Sequence, residues 1–180
     1  MRLFLAIELP DKIKDQIDLG LTEIKKQYQD YRWVPKEKYH ITIEFFGETE
    51  KFEMIKKTIT DLIYDQPSFY LYSTDVDLFI NKNIKMFLNF RREKKLETLS
   101  EIIKQKFNIE VKNNIKFIPR LTIGRTRISS KQQYFVLKKR LKEIMVNVEF
   151  PVKKIILFDS ISTGTPIFKK VAQFPLIKAE

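Results

Sequence analysis

The chain opens with an apolar run, Leu3 to Ile7, ended by Glu8 and Pro10, and reads as a first β-strand. After Pro10, Ile13, Ile17, Leu21, Ile24 and Tyr28 recur at three- and four-residue steps with charge between them, which predicts one amphipathic helix over 11–28. From His40 to Phe46 the pattern alternates. Ile41, Ile43 and Phe45 fall on one face and His40, Thr42 and Glu44 on the other, as in a half-buried strand. Phe52, Ile55, Ile59, Leu62 and Ile63 mark a second helix, closed by Pro67. Tyr70, Tyr72, Thr74, Val76, Leu78 and Ile80 share one parity, as do Ile84, Met86, Leu88 and Phe90, and Asn81-Lys82-Asn83 between them completes a hairpin signal. A third helix follows on Leu96, Leu99, Ile102, Ile103 and Phe107. A fourth spans Tyr134 to Met145, introduced by Ser130 with Gln133 three residues on as a capping box. The remaining strands are expected over 116–125, 152–158 and 167–174, the last two joined through Thr163-Gly164-Thr165-Pro166.

Near-neighbour antiparallel strands mixed with helices indicate an α+β fold rather than a parallel, doubly wound sheet. At 180 residues, with no low-complexity or Pro/Gly/Ser-rich linker, the chain reads as a single domain, 1–180, with two lobes. Thirty-four Lys and Arg against 23 Asp and Glu leave a net charge of +11, which favours a polyanionic partner such as nucleic acid. The absence of cysteine removes disulfides, thiolate zinc sites and cysteine nucleophiles, and a single histidine rules out a His-pair metal motif. Neither a G-x-G-x-x-G nor a G-x-x-x-x-G-K-S/T loop occurs. The N-terminal apolar run is too short for a signal peptide or a membrane span, so a soluble, cytoplasmic protein is expected.

Two segments echo each other across the halves: His40-Ile-Thr42-Ile-Glu-Phe45 and Arg120-Leu-Thr122-Ile-Gly-Arg125. In each, an ionisable residue and a threonine stand two apart on a strand and project from the same face. If the strands are adjacent, the four side chains make one cluster suited to phosphoryl chemistry. Threonine hydroxyls can bond nonbridging oxygens, cations can neutralise developing charge, and histidine can move a proton near neutral pH. Taken alone, a histidine on a strand is more often structural, and threonines favour strands in any case; the matched spacing argues for function. Arg125 and Phe45 are out of step. Alternation sets Arg125 among Leu121 and Ile123, where an unpaired charge is costly, so a bulge or the strand's end must turn it outward. Phe45 by the same rule is an ordinary core ring beside Ile41 and Ile43.

The chain resembles the RNA 2′,3′-cyclic phosphodiesterases, also called 2′-5′ RNA ligases, of the two-histidine phosphoesterase superfamily. The resemblance rests on an ordered set: Arg2 to Pro10, Trp33-Val34, His40 to Gly47, Phe117-Ile-Pro119, Leu121 to Arg125, Leu157-Phe158-Asp-Ser160 and Phe174-Pro-Leu176. It implies a bilobal fold in which two antiparallel sheets, helices packed outside, flank a central cleft. It also implies hydrolysis of a 2′,3′-cyclic phosphate to a 2′-phosphate with no metal or other cofactor. Carried over by position, His40 is the first motif histidine, Thr42 and Thr122 the phosphate-binding threonines, Arg125 a phosphate-contacting arginine, and Phe45 a neighbour of the nucleotide. The implied partners are RNA with 2′,3′-cyclic or phosphorylated ends and cyclic nucleotides, bound by a monomer. The departure is Arg120, which stands where the family has its second histidine. A guanidinium stays protonated and transfers no proton, so the expected outcome is reduced activity, with a non-catalytic binder of RNA ends as the alternative.

Overall fold

Alternating side-chain direction along the strands places the core. In β1 (Arg2–Glu8), Leu3, Leu5 and Ile7 point into one large cluster, while Phe4 and Ala6 point the other way. The chain continues through α1 (Asp11–Gly20), α2 (Thr22–Gln27), β2 (Arg32–Trp33) and β3 (His40–Glu48) to α3 (Phe52–Ile63). Then come β4 (Phe69–Asn81), β5 (Asn83–Phe90), α4 (Lys94–Lys106), β6 (Arg120–Thr126), α5 (Lys131–Lys142), β7 (Glu149–Val152), β8 (Lys154–Ile161) and β9 (Ile167–Pro175). The computed structural model describes residues 1–81, 83–109, 116–127, 130–161 and 166–178. The turn expected at Thr163 to Thr165 and the hairpin tip at Lys82 lie outside these.

The strands pair antiparallel in the order β7-β4-β5-β6-β3-β1-β8-β9, with the short β2 added on β6. The α+β fold read from the sequence is therefore present, as two four-stranded halves. They run into each other through a single bridge, Ile41 to Leu121. All five helices contribute to the large core through residues such as Ile17, Ile24, Ile59, Ile103 and Leu141, which pack with the inward strand positions. The opposite sheet face carries a smaller cluster, Phe4, Ala6, Ile156 and Phe158, with Phe168 against it. Among the described residues no helix is long and apolar enough to cross a membrane.

Local departures from the expected elements have local causes. The helix expected over 11–28 breaks at Leu21, beside Gly20, whose missing Cβ would lie 2.8 Å from Val146 Cγ2. The strand expected over 152–158 is two, β7 and β8, paired to opposite ends of the sheet. The tyrosines of β4 do not share the buried face of Val76 and Leu78: a register shift between Ser73 and Val76 buries Phe69 and Leu71 and leaves Tyr70 and Tyr72 exposed. Ser130 does cap α5, accepting a hydrogen bond from the Gln133 N–H at 3.2 Å.

Candidate active site

The bridge between β3 and β6 decides how the paired motifs meet. Ile41 faces Leu121, and one antiparallel step either way sets Thr42 opposite Arg120 and His40 opposite Thr122. Ile41, Ile43, Leu121 and Ile123 are all buried on the helix side. The four polar residues therefore leave the strands on the face opposite the helices. Thr42 and Arg120 are exposed, and His40 and Thr122 half-buried.

His40 sits in an aromatic nest. Its ring centroid is 5.1 Å from Phe4, 5.0 Å from Phe168 in a T-shaped contact, and 6.3 Å from Phe158. Nδ1 lies 2.8 Å from the Lys38 carbonyl oxygen. A carbonyl only accepts, so Nδ1 carries the proton and donates, and the unprotonated Nε2 of the neutral ring has no hydrogen-bond partner among the described residues. Burial against the rings lowers the His40 pKa below the usual imidazole value, an effect opposed by the Lys38 hydrogen bond. The residue is thus a neutral imidazole at pH 7, competent to accept a proton.

Arg120 is held from the other half. Its Nε–H donates to Asn89 Oδ1 at 3.1 Å, and its guanidinium stands 4.8 Å from the Phe87 ring centroid. Asn89 donates in turn to Asp75 Oδ1 at 3.2 Å. An aromatic floor thus underlies the ionisable residue in each lobe, a neutral one at 40 and a permanent cation at 120.

Two bulges resolve the parity conflicts of the sequence. On β6 the register passes from Met86 opposite Gly124 to Phe87 opposite Thr122, so an additional residue is accommodated at Ile123. Gly124 consequently faces the core, where a Cβ would meet Met86 and Trp33, and Arg125 emerges exposed on the side of Arg120 and Thr122. On β3 the register passes from Thr42 opposite Ala6 to Glu44 opposite Leu5, and then Phe45 opposite Phe4. This corrects the alternating reading of that strand at two positions. Glu44 does not share the face of His40 and Thr42 but turns to the helix side. There it lies 3.8 Å from Lys104 Nζ and accepts from the Ser100 hydroxyl at 3.5 Å, and burial raises its pKa. Phe45 is no core ring: it is 45% exposed, with the Arg2 guanidinium 5.3 Å from its centroid.

The structure thus brings His40, Thr42, Arg120 and Thr122 onto one face, with Arg125 and Phe45 on the same side further along β6 and β3. The sequence reading missed the supports, Phe4, Phe158 and Phe168 under His40 and Asn89 and Phe87 under Arg120. Asn89 and Phe87 were legible as the polar-face parity of β5; the convergence of three strands under His40 was not.

The chain is similar to known phosphoesterases. A family model described as LigT like Phosphoesterase matches residues 7–85. An RNA 2′,3′-cyclic phosphodiesterase of Methanocaldococcus jannaschii is 29% identical over 178 residues, covering 97% of this chain and 100% of the relative. One of Thermotoga maritima is 27% identical over 184 residues, covering 94% and 92%. These likenesses support the two-histidine phosphoesterase family for the chain. Solved structures agree on the fold of this phosphoesterase. A Thermus thermophilus protein matches with a TM-score of 0.74 at 18% identity over the whole of both chains. Escherichia coli LigT complexed with 3′-AMP matches with a TM-score of 0.72 at 19% identity over 98% of each. At family level the phosphoesterase is a hydrolase.

Proposed function

We propose that this phosphoesterase opens 2′,3′-cyclic phosphates at RNA ends to 2′-phosphates without a metal ion, at a rate lowered by Arg120, and that residues 1–180 act as one bilobal unit. The observation that carries the reading is the common face of His40, Thr42, Arg120 and Thr122, set by the Ile41–Leu121 bridge. The relatives named as RNA 2′,3′-cyclic phosphodiesterases support the substrate class, and E. coli LigT has been solved with 3′-AMP and with NADP+.

In this mechanism the free Nε2 of His40 takes a proton from water as the water oxygen bonds to phosphorus. The P–O3′ bond breaks and the 3′ oxygen draws its proton from solvent, because the guanidinium of Arg120 gives none up. Thr42 and Thr122 donate to nonbridging oxygens, and Arg120 and Arg125 stabilise the charge that grows on them. Phe45, exposed beside Arg2, offers a ring to the nucleotide.

The test is release of 2′-phosphate from a nucleoside 2′,3′-cyclic phosphate by the wild type, His40→Ala and Arg120→His. The wild type should turn over slowly and His40→Ala should abolish it. Arg120→His should gain about 10²- to 10⁴-fold, the usual worth of one positioned acid or base. No gain on restoring the histidine would remove the support for a degenerate pair. Tight binding of the cyclic end with no product would favour a non-catalytic binder.

A further inference from the structure

The bulge that frees Arg125 also aligns it in a row with two cations, Arg32 and Lys85, that the hydrolytic step leaves unused. Arg125 on β6 lies directly opposite Arg32 on β2 and directly opposite Lys85 on β5. Lys85 is in turn opposite Phe79 on β4, with its ammonium 5.9 Å from that ring's centroid. The facing of the row is fixed by its neighbours. Gly124, Trp33 and Met86, one residue along each strand, meet one another on the core side, so Arg32, Arg125 and Lys85 point the other way. Lys85 shares its face with Phe87 and Asn89, the residues that hold Arg120.

Like charges directly opposite each other on neighbouring strands are destabilising, and here two such pairs share one arginine. Neighbouring strands are about 4.8 Å apart, so the backbones of the three cationic residues stand within about 10 Å of one another. None of the three has a carboxylate partner among the described residues. Burial, and then the charge of Arg125, lower the Lys85 pKa, which agrees with an unneutralised cluster. The row lies one two-residue strand step, about 7 Å, from the level of Thr122 and Phe87, a distance that suits successive phosphates of one extended strand. Phe79 at the end of the row is 37% exposed and can take a base on its face.

We infer that Arg32, Lys85 and Phe79, with Arg125 at the junction, form a second subsite that holds the phosphodiester and base on the 5′ side of the reacting nucleotide. The inference rests on the proposed reaction for its orientation: a 2′,3′-cyclic phosphate is the 3′ end of its strand, so the rest of the polymer leaves the site through the 5′ oxygen. The subsite makes the protein selective for oligonucleotide ends over mononucleotides.

The experiment compares a trinucleotide ending in a 2′,3′-cyclic phosphate with a nucleoside 2′,3′-cyclic phosphate, using the wild type and the double variant Arg32→Ala/Lys85→Ala. The expected result is a loss of about tenfold or more in kcat/KM for the trinucleotide and a shallower salt dependence, with under about twofold change for the mononucleotide. Equal effects on both substrates, or none on either, would overturn the subsite. If the wild type hydrolyses neither, the proposed reaction fails, and anisotropy of a labelled trinucleotide still decides the subsite. About tenfold weaker binding by the double variant supports it, and unchanged binding overturns it. Arg32→Lys/Lys85→Arg should restore the trinucleotide signal, which separates lost charge from lost folding.

Discussion

The bulge on β6 can be tested by filling the space it creates. Gly124 faces the core, and a Cβ there would lie 2.8 Å from Met86 Cε, 2.9 Å from Trp33 Cε3 and 3.3 Å from Trp33 Cζ3. The methionine methyl ends a flexible chain and can swing aside. The indole cannot, since its Nε1–H donates to the Tyr28 carbonyl at 2.9 Å and its ring leans on Tyr31 at 6.3 Å. Overpacking of this kind costs about 1–3 kcal/mol. The smaller unfolded-state entropy of alanine returns about 0.4–1 kcal/mol. Gly124→Ala is therefore expected to lose about 1–2 kcal/mol net, roughly a tenfold fall in the folding equilibrium constant. Urea unfolding followed by fluorescence reads this directly, because Trp33 is the one tryptophan in the chain and lies at the contact. Its emission should also shift to the red as the ring is displaced toward solvent. An unchanged midpoint with unchanged emission would mean that Gly124 does not face Trp33. In that case the bulge would not deliver Arg125 to the open face.

Other consequences follow from the aromatic nest and from a helix cap. Phe168→Ala removes a ring from one side of His40. The imidazole should then titrate closer to its usual value in an NMR titration, and the acidic limb of the hydrolysis profile should move up in pH. The sign for stability follows from the lowered folded-state pKa: as pH falls below the ordinary imidazole value, the unfolded chain binds the proton first. Wild-type stability is thus fully present above about pH 6.5 and declines below it, and the variant should decline less over that interval. Ser130→Ala deletes the acceptor for the Gln133 N–H and should cost about 1 kcal/mol in denaturant unfolding without altering phosphate-end chemistry.

Whatever depended on period or spacing within one element was legible from the sequence. The i, i+2 pairs His40/Thr42 and Arg120/Thr122 needed only strand alternation, and the helices over 52–63 and 94–106 needed only their apolar stripes. Glu44 was misplaced and Phe45 set among core rings because alternation fails at a bulge. A bulge is a property of the pairing, here with β1, and not of the strand that carries it. Arg125 announced its own bulge, since a cation among Leu121 and Ile123 is too costly to leave buried; Phe45 carried no such penalty. The support of His40 was hidden for a related reason. Phe4, Phe158 and Phe168 come from β1, β8 and β9, and only the sheet order brings them under one ring.

In the proposed reaction β3 and β6 together present one phosphate site. A crystal structure of the protein bound to a nucleoside 2′-phosphate, the proposed product, tests this most directly. It should show the phosphate accepting hydrogen bonds from both Thr42 and Thr122, with His40 Nε2 and the Arg120 guanidinium in reach. A phosphate bound elsewhere, or touching one of the two strands alone, would contradict the account.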